Sequence, residues 1–298
     1  MYPLTALTNL STTVINMALE SNQPISFEFF PPKTAEGRDK LLAVTNKLGK
    51  VNPAYFSVTF GAGGSTQQGT IDTVLDIQQQ GFSAAPHLSC VGSTKDNIRQ
   101  ILADYQNQGI DRIVALRGDI PSGTLDAGEF RYANELVSFI RAETGDHFHL
   151  EVAAYPEIHP QAKNAQTDLA NFKQKVEAGA NSAITQYFFN FEAYVRFVED
   201  CDKMGLTVPI VPGIMPITNY SQLARFSDMC GAEIPRWIAK RLEGFADDRE
   251  SIKAFGTDVV SELCQSLLDY GCPGLHFYSM NQAESSLAVC RNLGVEGA

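Results

Sequence analysis

Eight short apolar runs, separated by segments of helical character, constrain this chain more than any other feature. They read ISFEFF from Ile25, AYFSVTF from Ala54, SAAPHLSC from Ser83, RIVALRGD from Arg112, HLEVAAYPE from His149, SAITQYFF from Ser182, VPIVPGIM from Val208 and GLHFYS from Gly274. Each is rich in β-branched or aromatic residues and bounded by turn formers, as buried strands are. The first four begin 29 residues apart, room for a strand, a loop, a helix and a return loop. The intervening segments carry helical stripes. KDNIRQILADYQNQG aligns Ile98, Ile101, Leu102 and Tyr105 and stops at Gly109; TDLANFKQKVEAGA opens on a Thr/Asp cap and aligns Leu169, Phe172 and Val176; YSQLARFSDM sets Leu223 and Phe226 three apart. Eight strands alternating with helices predict a parallel sheet, and eight is the closure number of the (β/α)8 TIM barrel. A doubly wound open sheet of eight strands is the alternative. The stretch from about 215 to 273 is expected to hold extra helices, and residues 1–24 a helical segment, within one barrel domain spanning 1–298.

Bulk properties narrow the function classes. Of 298 residues 44% are apolar and 19% charged, enough for a sizeable core and too few charges for long disordered tracts. Lys plus Arg is 23 against 34 for Asp plus Glu, a net charge of −11, which disfavours nucleic acid and anionic membranes as partners. The six cysteines, at 90, 201, 230, 264, 272 and 290, form no C-x-x-C pair and no zinc-like spacing with His, so they read as reduced small hydrophobes and no metal is expected. The N-terminus lacks a signal peptide's basic start and apolar run, and no long uncharged apolar stretch exists; a cytoplasmic enzyme is expected. There is no G-x-G-x-x-G, since GAGGST at 61–66 fails the spacing, and no P-loop or G-x-S-x-G. Any dinucleotide must therefore be held by the barrel's own loops.

The chemistry is expected where polar residues stand late in the strands: Glu28, Thr59, His87, Arg117 with Asp119, Tyr155 with His159, Gln186 and Tyr278. In a barrel these positions converge on one face, where barrel active sites lie. Glu28 is the sharpest case. If it is buried among the phenylalanines of ISFEFF, desolvation favours its protonated form, which can serve as a general acid; a solvated, outward carboxylate is the alternative. In ALRGD, Arg117 and Asp119 share one side of an extended chain, and Gly118 would let a planar ligand approach. A structural Arg–Asp pair explains the spacing equally well. After YPEIHP, Asp168, Asn171 and Lys175 fall on one helix face, where Lys175 could meet a phosphate and Asp168 a ribose hydroxyl. His147 and His149 read as incidental, and His276 as packed rather than catalytic.

SFEFFPPKT, SVTFGAGG, APHLSC, ALRGD, AAYPEIHP, AITQYFF, PGIMPITN and HFYSMNQAE occur in that order, and together they resemble the bacterial methylenetetrahydrofolate reductases from about residue 20 to 295. The resemblance implies a (β/α)8 barrel with non-covalent FAD that reduces 5,10-methylenetetrahydrofolate to 5-methyltetrahydrofolate with NADH in a ping-pong reaction, supplying methyl groups for methionine. It also implies a homo-oligomer. Carried over by position, Glu28 resembles the family's general acid and Asp119 the carboxylate beside the flavin and the pterin. Thr59, His87, Arg117, Gly118, Asp119, Tyr132, Ala133, Tyr155, His159, Asp168, Asn171, Gln174 and Lys175 resemble FAD-contacting positions. Gln186 resembles the amide shared by pterin and nicotinamide, Phe226 the aromatic stacking on NADH or folate, and Gln222, Tyr278 and Gln282 folate contacts. Two departures stand out: GAGGSTQQGT replaces a more charged loop, and Gln174 and Gln282 stand where relatives often carry Arg. A pterin-binding TIM-barrel methyltransferase and a non-catalytic folate-binding barrel are the rival readings, and a flavin spectrum would separate them.

Overall fold

A computed structural model describes residues 23–61, 66–119 and 128–298; the N-terminal helical segment expected at 1–24, residues 23 and 24 apart, and the centre of the GAGGST loop lie outside them. The strands are β1 (Ile25–Phe29), β2 (Tyr55–Val58), β3 (Ala84–Ser89), β4 (Arg112–Leu116), β5 (His149–Ala154), β6 (Ser182–Thr185), β7 (Ile210–Val211), β8 (Gly213–Ile214) and β9 (Leu275–Tyr278). All pairings are parallel, in the order β7-β6-β5-β4-β3-β2-β1-β9-β8. The two ends of that order are joined by a single residue, Pro212, so the sheet curls into a nearly closed barrel. The fold is the barrel, not the doubly wound alternative.

VPIVPGIM departs from the single strand the sequence suggests. Pro212 has no N–H to donate, which breaks the ladder there. Its carbonyl accepts from the His276 N–H (3.0 Å), while the Gly213 N–H turns to Thr185 Oγ1 (2.9 Å). A Cβ at Gly213 would stand 2.1 Å from the Thr185 carbonyl oxygen, so only glycine fits this approach of backbones.

The helices are α1 (Ala35–Leu48), α2 (Gln67–Gln79), α3 (Lys95–Asn107), α4 (Ala133–Thr144), α5 (Ala165–Glu177), α6 (Phe191–Lys203), α7 (Tyr220–Cys230), α8 (Arg236–Gly244), α9 (Arg249–Tyr270) and α10 (Glu284–Asn292). The span before β9 holds α7, α8 and α9 where one crossover helix would suffice, as expected. Thr34, Thr66 and Thr94 cap α1, α2 and α3 by accepting a backbone N–H. α5 starts earlier than its Thr/Asp pair suggests: Asn164 is the cap and accepts the Thr167 N–H (2.9 Å), which frees Asp168 for the loop before it.

Alternation along the strands sorts the core into two shells. Phe27 and Phe29 are fully buried and stack on Phe56, whose ring meets Phe82 edge-on; these rings fill the layer between strands and helices. Ser26 and Glu28 therefore face into the barrel. Among the described residues no helix is long and apolar enough to cross a membrane.

Candidate active site

The inner shell is polar where most barrels are filled by branched apolar residues. Register aligns it in rows: Glu28 with Ser57 and Tyr278, and below them Ser26 with Tyr55 and His276. The Glu28 side chain is only 12% exposed, with Oε2 3.4 Å from His87 Nε2 and 3.8 Å from His276 Nε2. Neither imidazole Nε2 has a hydrogen-bond partner, nor do Ser57 Oγ and Thr59 Oγ1. Burial pushes His87 below its ordinary value, outweighing the attraction of Glu28, so it stands as a neutral imidazole beside the carboxyl.

The chain around Glu28 is held firmly. The Ser279 hydroxyl donates to the Glu28 carbonyl (2.6 Å), and Asn281 accepts the Phe30 N–H and donates to the Phe30 carbonyl, both at 2.8 Å. Met280 and Asn281 adopt left-handed φ of 53° and 56° to make this clamp, the local strain that gathers at functional sites. Tyr278, buried by desolvation well above the ordinary phenol value, feels both Glu28 and Tyr155 and donates to the Thr185 carbonyl (2.7 Å). It stands between the inner shell and the rim.

The rim gathers Arg117, Asp119, Tyr155, His159, Asp168 and Lys175. The Tyr155 hydroxyl is pushed up to about 12, first by burial and then by neighbours that include Asp168 and Asp119. His159 is lowered, chiefly by burial, while feeling Asp168, Arg117, Lys175 and Asp119. Its ring meets Tyr155 edge-on at 4.5 Å, and Asp168 accepts its backbone N–H (2.8 Å). The structural Arg–Asp pair is not formed: Arg117 donates to Gln161 Oε1 (2.5 Å) and the Gly118 carbonyl, leaving Asp119 exposed. Gly118 has φ +84°, and a Cβ there would meet Ser89 at 2.9 Å, so the turn requires glycine. Lys175 reaches inward from α5 to the Ala153 carbonyl (2.5 Å), and burial lowers it to about 8.

The other predicted positions are placed less tightly. Tyr132 caps α4 beside Ala133, with its ring exposed. Asn171 and Gln174 are exposed on α5, and Gln282 is exposed just before α10. Gln186 Oε1 accepts the Tyr187 N–H (3.0 Å). α7 carries Gln222 and Phe226, the latter under the Arg225 guanidinium at 5.4 Å, and is tied down by the Tyr187–Ser227 hydroxyl contact (3.1 Å). A crevice of about 600 Å³ between α1 and α2, lined by Lys33, Arg38, Asp72 and Asp76, shares none of the predicted residues.

Sequence reading missed the lower inner row. Glu151, almost fully buried, accepts from Tyr55 (2.7 Å) and from Arg112, and Arg112 also lies 4.5 Å over the Tyr55 ring. His149, read as incidental, contacts Ser182 Oγ (2.7 Å). His276 is packed, as read, yet its Nδ1 contacts Ser26 Oγ (2.7 Å) and its Nε2 faces Glu28. The available signal was alternation, because Glu151 is two positions from His149, Tyr55 from Ser57 and His276 from Tyr278; Arg112, followed at that spacing by Val114, carried no such signal.

One observation bears on a flavin: the buried hydroxyls of Ser57 and Thr59, at the carboxyl end of β2, have no hydrogen-bond partner among the described residues.

A family model described as methylenetetrahydrofolate reductase matches residues 14–294. The chain is 44% identical over 272 residues to the 5,10-methylenetetrahydrofolate reductase of Escherichia coli, covering 91% of this chain and 90% of that one. It is 37% identical over 284 residues to methylenetetrahydrofolate reductase (NADH) 1 of Arabidopsis thaliana, covering 91% of this chain and 48% of that protein. Among solved structures, a Clostridium thermocellum protein described as binding two copies of 5-methyl-5,6,7,8-tetrahydrofolic acid superimposes with a TM-score of 0.66 at 16% identity, covering 92% and 94% of the two chains; at that identity the likeness concerns the fold.

Proposed function

From the premise that the chain belongs to the methylenetetrahydrofolate reductase family, we propose that it reduces 5,10-methylenetetrahydrofolate to 5-methyltetrahydrofolate with NADH through bound FAD, the two substrates using one site in turn. The observation that carries the reading is Glu28: an enclosed carboxyl at the barrel mouth, beside a neutral imidazole. When bound, the flavin supplies the two-electron relay between the substrates.

The residues divide the remaining work. Glu28, protonated, gives its proton to N10 as the imidazolidine ring opens, leaving a cationic methylene at N5. The carboxylate of Asp119 stabilises that cation, and hydride addition to the same carbon completes the methyl group. Gln186 orients pterin and nicotinamide in turn, Phe226 stacks on whichever is present, and Gln222, Tyr278 and Gln282 position the folate. Thr59, His87, Arg117, Gly118, Tyr132, Ala133, Tyr155 and His159 line the flavin site. Along α5, Asp168, Asn171, Gln174 and Lys175 meet its ribose and phosphates, where an anion would neutralise the buried ammonium.

The purified protein is expected to be yellow, with an oxidised-flavin spectrum that NADH bleaches and methylenetetrahydrofolate restores. A colourless protein, or bleaching without restoration, overturns the reading.

A further inference from the structure

Strand β1 leaves the sheet in a way its own backbone cannot secure. Its ladder to β9 ends with Glu28 opposite Tyr278, and Phe30 is followed by Pro31 and Pro32, which have no N–H to continue it. The Glu28 carboxyl is no anchor either. It stands 3.4 and 3.8 Å from two imidazole nitrogens, beyond the usual range of a hydrogen bond. What holds this stretch is the turn after β9. The Gln282 N–H donates to the Ser279 carbonyl (2.9 Å) around Met280 and Asn281, both with left-handed φ, a conformation that asparagine tolerates. Asn281 then stands in for a missing strand. Its side-chain amide offers one acceptor and one donor to the two backbone groups of Phe30, both at 2.8 Å, as a neighbouring peptide in the ladder would. The Ser279 hydroxyl donates to the Glu28 carbonyl (2.6 Å) and accepts the Asn281 N–H (3.3 Å). One turn therefore grips β1 on both sides of Phe29, whose own carbonyl is held from β2 by the Thr59 N–H (2.9 Å).

We propose that Asn281 is a positioning residue for the folate half-reaction: by gripping Phe30 it fixes the direction in which the end of β1 aims the Glu28 carboxyl. The proposal rests on Glu28 being the proton donor to N10. Proton transfer needs the two heavy atoms within hydrogen-bond reach, and a misplacement of about 1 Å at such a group can cost on the order of a hundredfold in rate. With no direct hydrogen bond on its carboxyl, Glu28 takes its aim from its backbone, and the bonds that hold the backbone around it come from this turn. A turn serving only to lead β9 into α10 would need no bond to β1; this one makes three. It also ends on Gln282, so the residue proposed to meet the folate and the residue proposed to give the proton are held by one four-residue unit.

Asn281→Gly tests the grip, because glycine keeps the left-handed turn and deletes the amide. In stopped-flow experiments on the FAD-loaded protein, the limiting rate of folate reduction at saturating 5,10-methylenetetrahydrofolate is expected to fall roughly tenfold to a hundredfold, and reduction of the flavin by NADH far less. A loss confined to the apparent affinity for folate, or an equal loss in both half-reactions, overturns the proposal. A double-mutant cycle tells aim from a general loosening of the barrel. In the Glu28→Gln background, Asn281→Gly should change the residual folate rate by less than about twofold, since an acid that is absent cannot be misaimed. The same fold-loss in both backgrounds overturns the positioning role. Should the glycine form not hold FAD, Ser279→Ala, which releases only the Glu28 carbonyl, carries the same expectation through the same cycle. Glu28→Gln alone separates the two claims. If that variant reduces folate normally, the general-acid reading has failed. If it does not, and Asn281→Gly leaves the folate rate in place, only the role of Asn281 has failed.

Discussion

Glu151 on β5 and Glu28 on β1 are carboxylates of the same barrel, and their surroundings differ in kind. Glu151 meets a guanidinium and a phenol, so both oxygens are matched. Glu28 meets two imidazole nitrogens and, among the described residues, no Lys or Arg. A matched carboxylate supports the fold, because losing its partner would leave a charge buried alone. A carboxyl with no Lys or Arg beside it has no such counter-charge to lose, and it is this unmatched carboxyl, rather than the matched one, that we propose for chemistry.

The widest break in this comparison should come from Glu28→Gln. Folate reduction is expected to fall roughly 10²–10⁴-fold, the usual contribution of a general acid, while reduction of the flavin by NADH continues, since that step needs no proton at N10. Stopped-flow measurement of each half-reaction separates them, and near-normal folate reduction would make the two carboxylates alike. Arg112→Met addresses the other partner: unfolding free energy from urea titration should drop by about 3 kcal/mol, the lower end for breaking a buried pair, whereas Glu28→Gln should cost under about 1 kcal/mol.

Lys175 offers the same contrast with the charges reversed. Its folded value of about 8 lies below the ordinary 10.5, so between those values the unfolded chain binds more protons and a rising pH favours the fold. Flavin-free protein should therefore gain stability from about pH 8 to 10.5 and show none of that slope in Lys175→Met, which should be the more stable form below pH 8. The same variant should release FAD more readily on dilution, by about 1.5–3 kcal/mol for a lost charge-assisted contact. Equal flavin retention would leave Lys175 as a structural ammonium held on the Ala153 carbonyl.

The smallest expected effect is at Asp119, exposed on the rim. Asp119→Asn should raise the flavin midpoint potential by an amount on the order of tens of millivolts through loss of a nearby negative charge. Folate reduction should slow by more than that shift explains, because the cation at N5 loses its counter-charge. A redox titration showing no change would place Asp119 away from the ring.

Much of this was legible in the strand pattern. The 29-residue spacing led to the barrel, and polar residues late in strands led to Glu28, His87, Tyr155 and Tyr278, which do converge. The second partner of Glu28, His276, was not legible, because it depends on register between strands about 250 residues apart in the chain: Ser26 beside His276 is a fact of β1 meeting β9. Alternation could announce that His276 faces inward, but not that it faces an acid. The rim was only half legible. Asp168, Lys175 and His159 gather as expected, while Asn171, Gln174 and Gln282 stand exposed, because spacing along a helix does not tell a ligand-facing side chain from a solvated one.

The interruption at Pro212 makes the barrel a split ring. Two residue pairs hold it to β6 on one side and two to β9 on the other, against four between β4 and β5. Thermal breathing follows the weakest seam, so amide exchange should be quickest along Ile210–Ile214, on the wall that Tyr278 leans against. A ring with a built-in gap can loosen beside its working face while the opposite arc, from β2 to β5, stays shut.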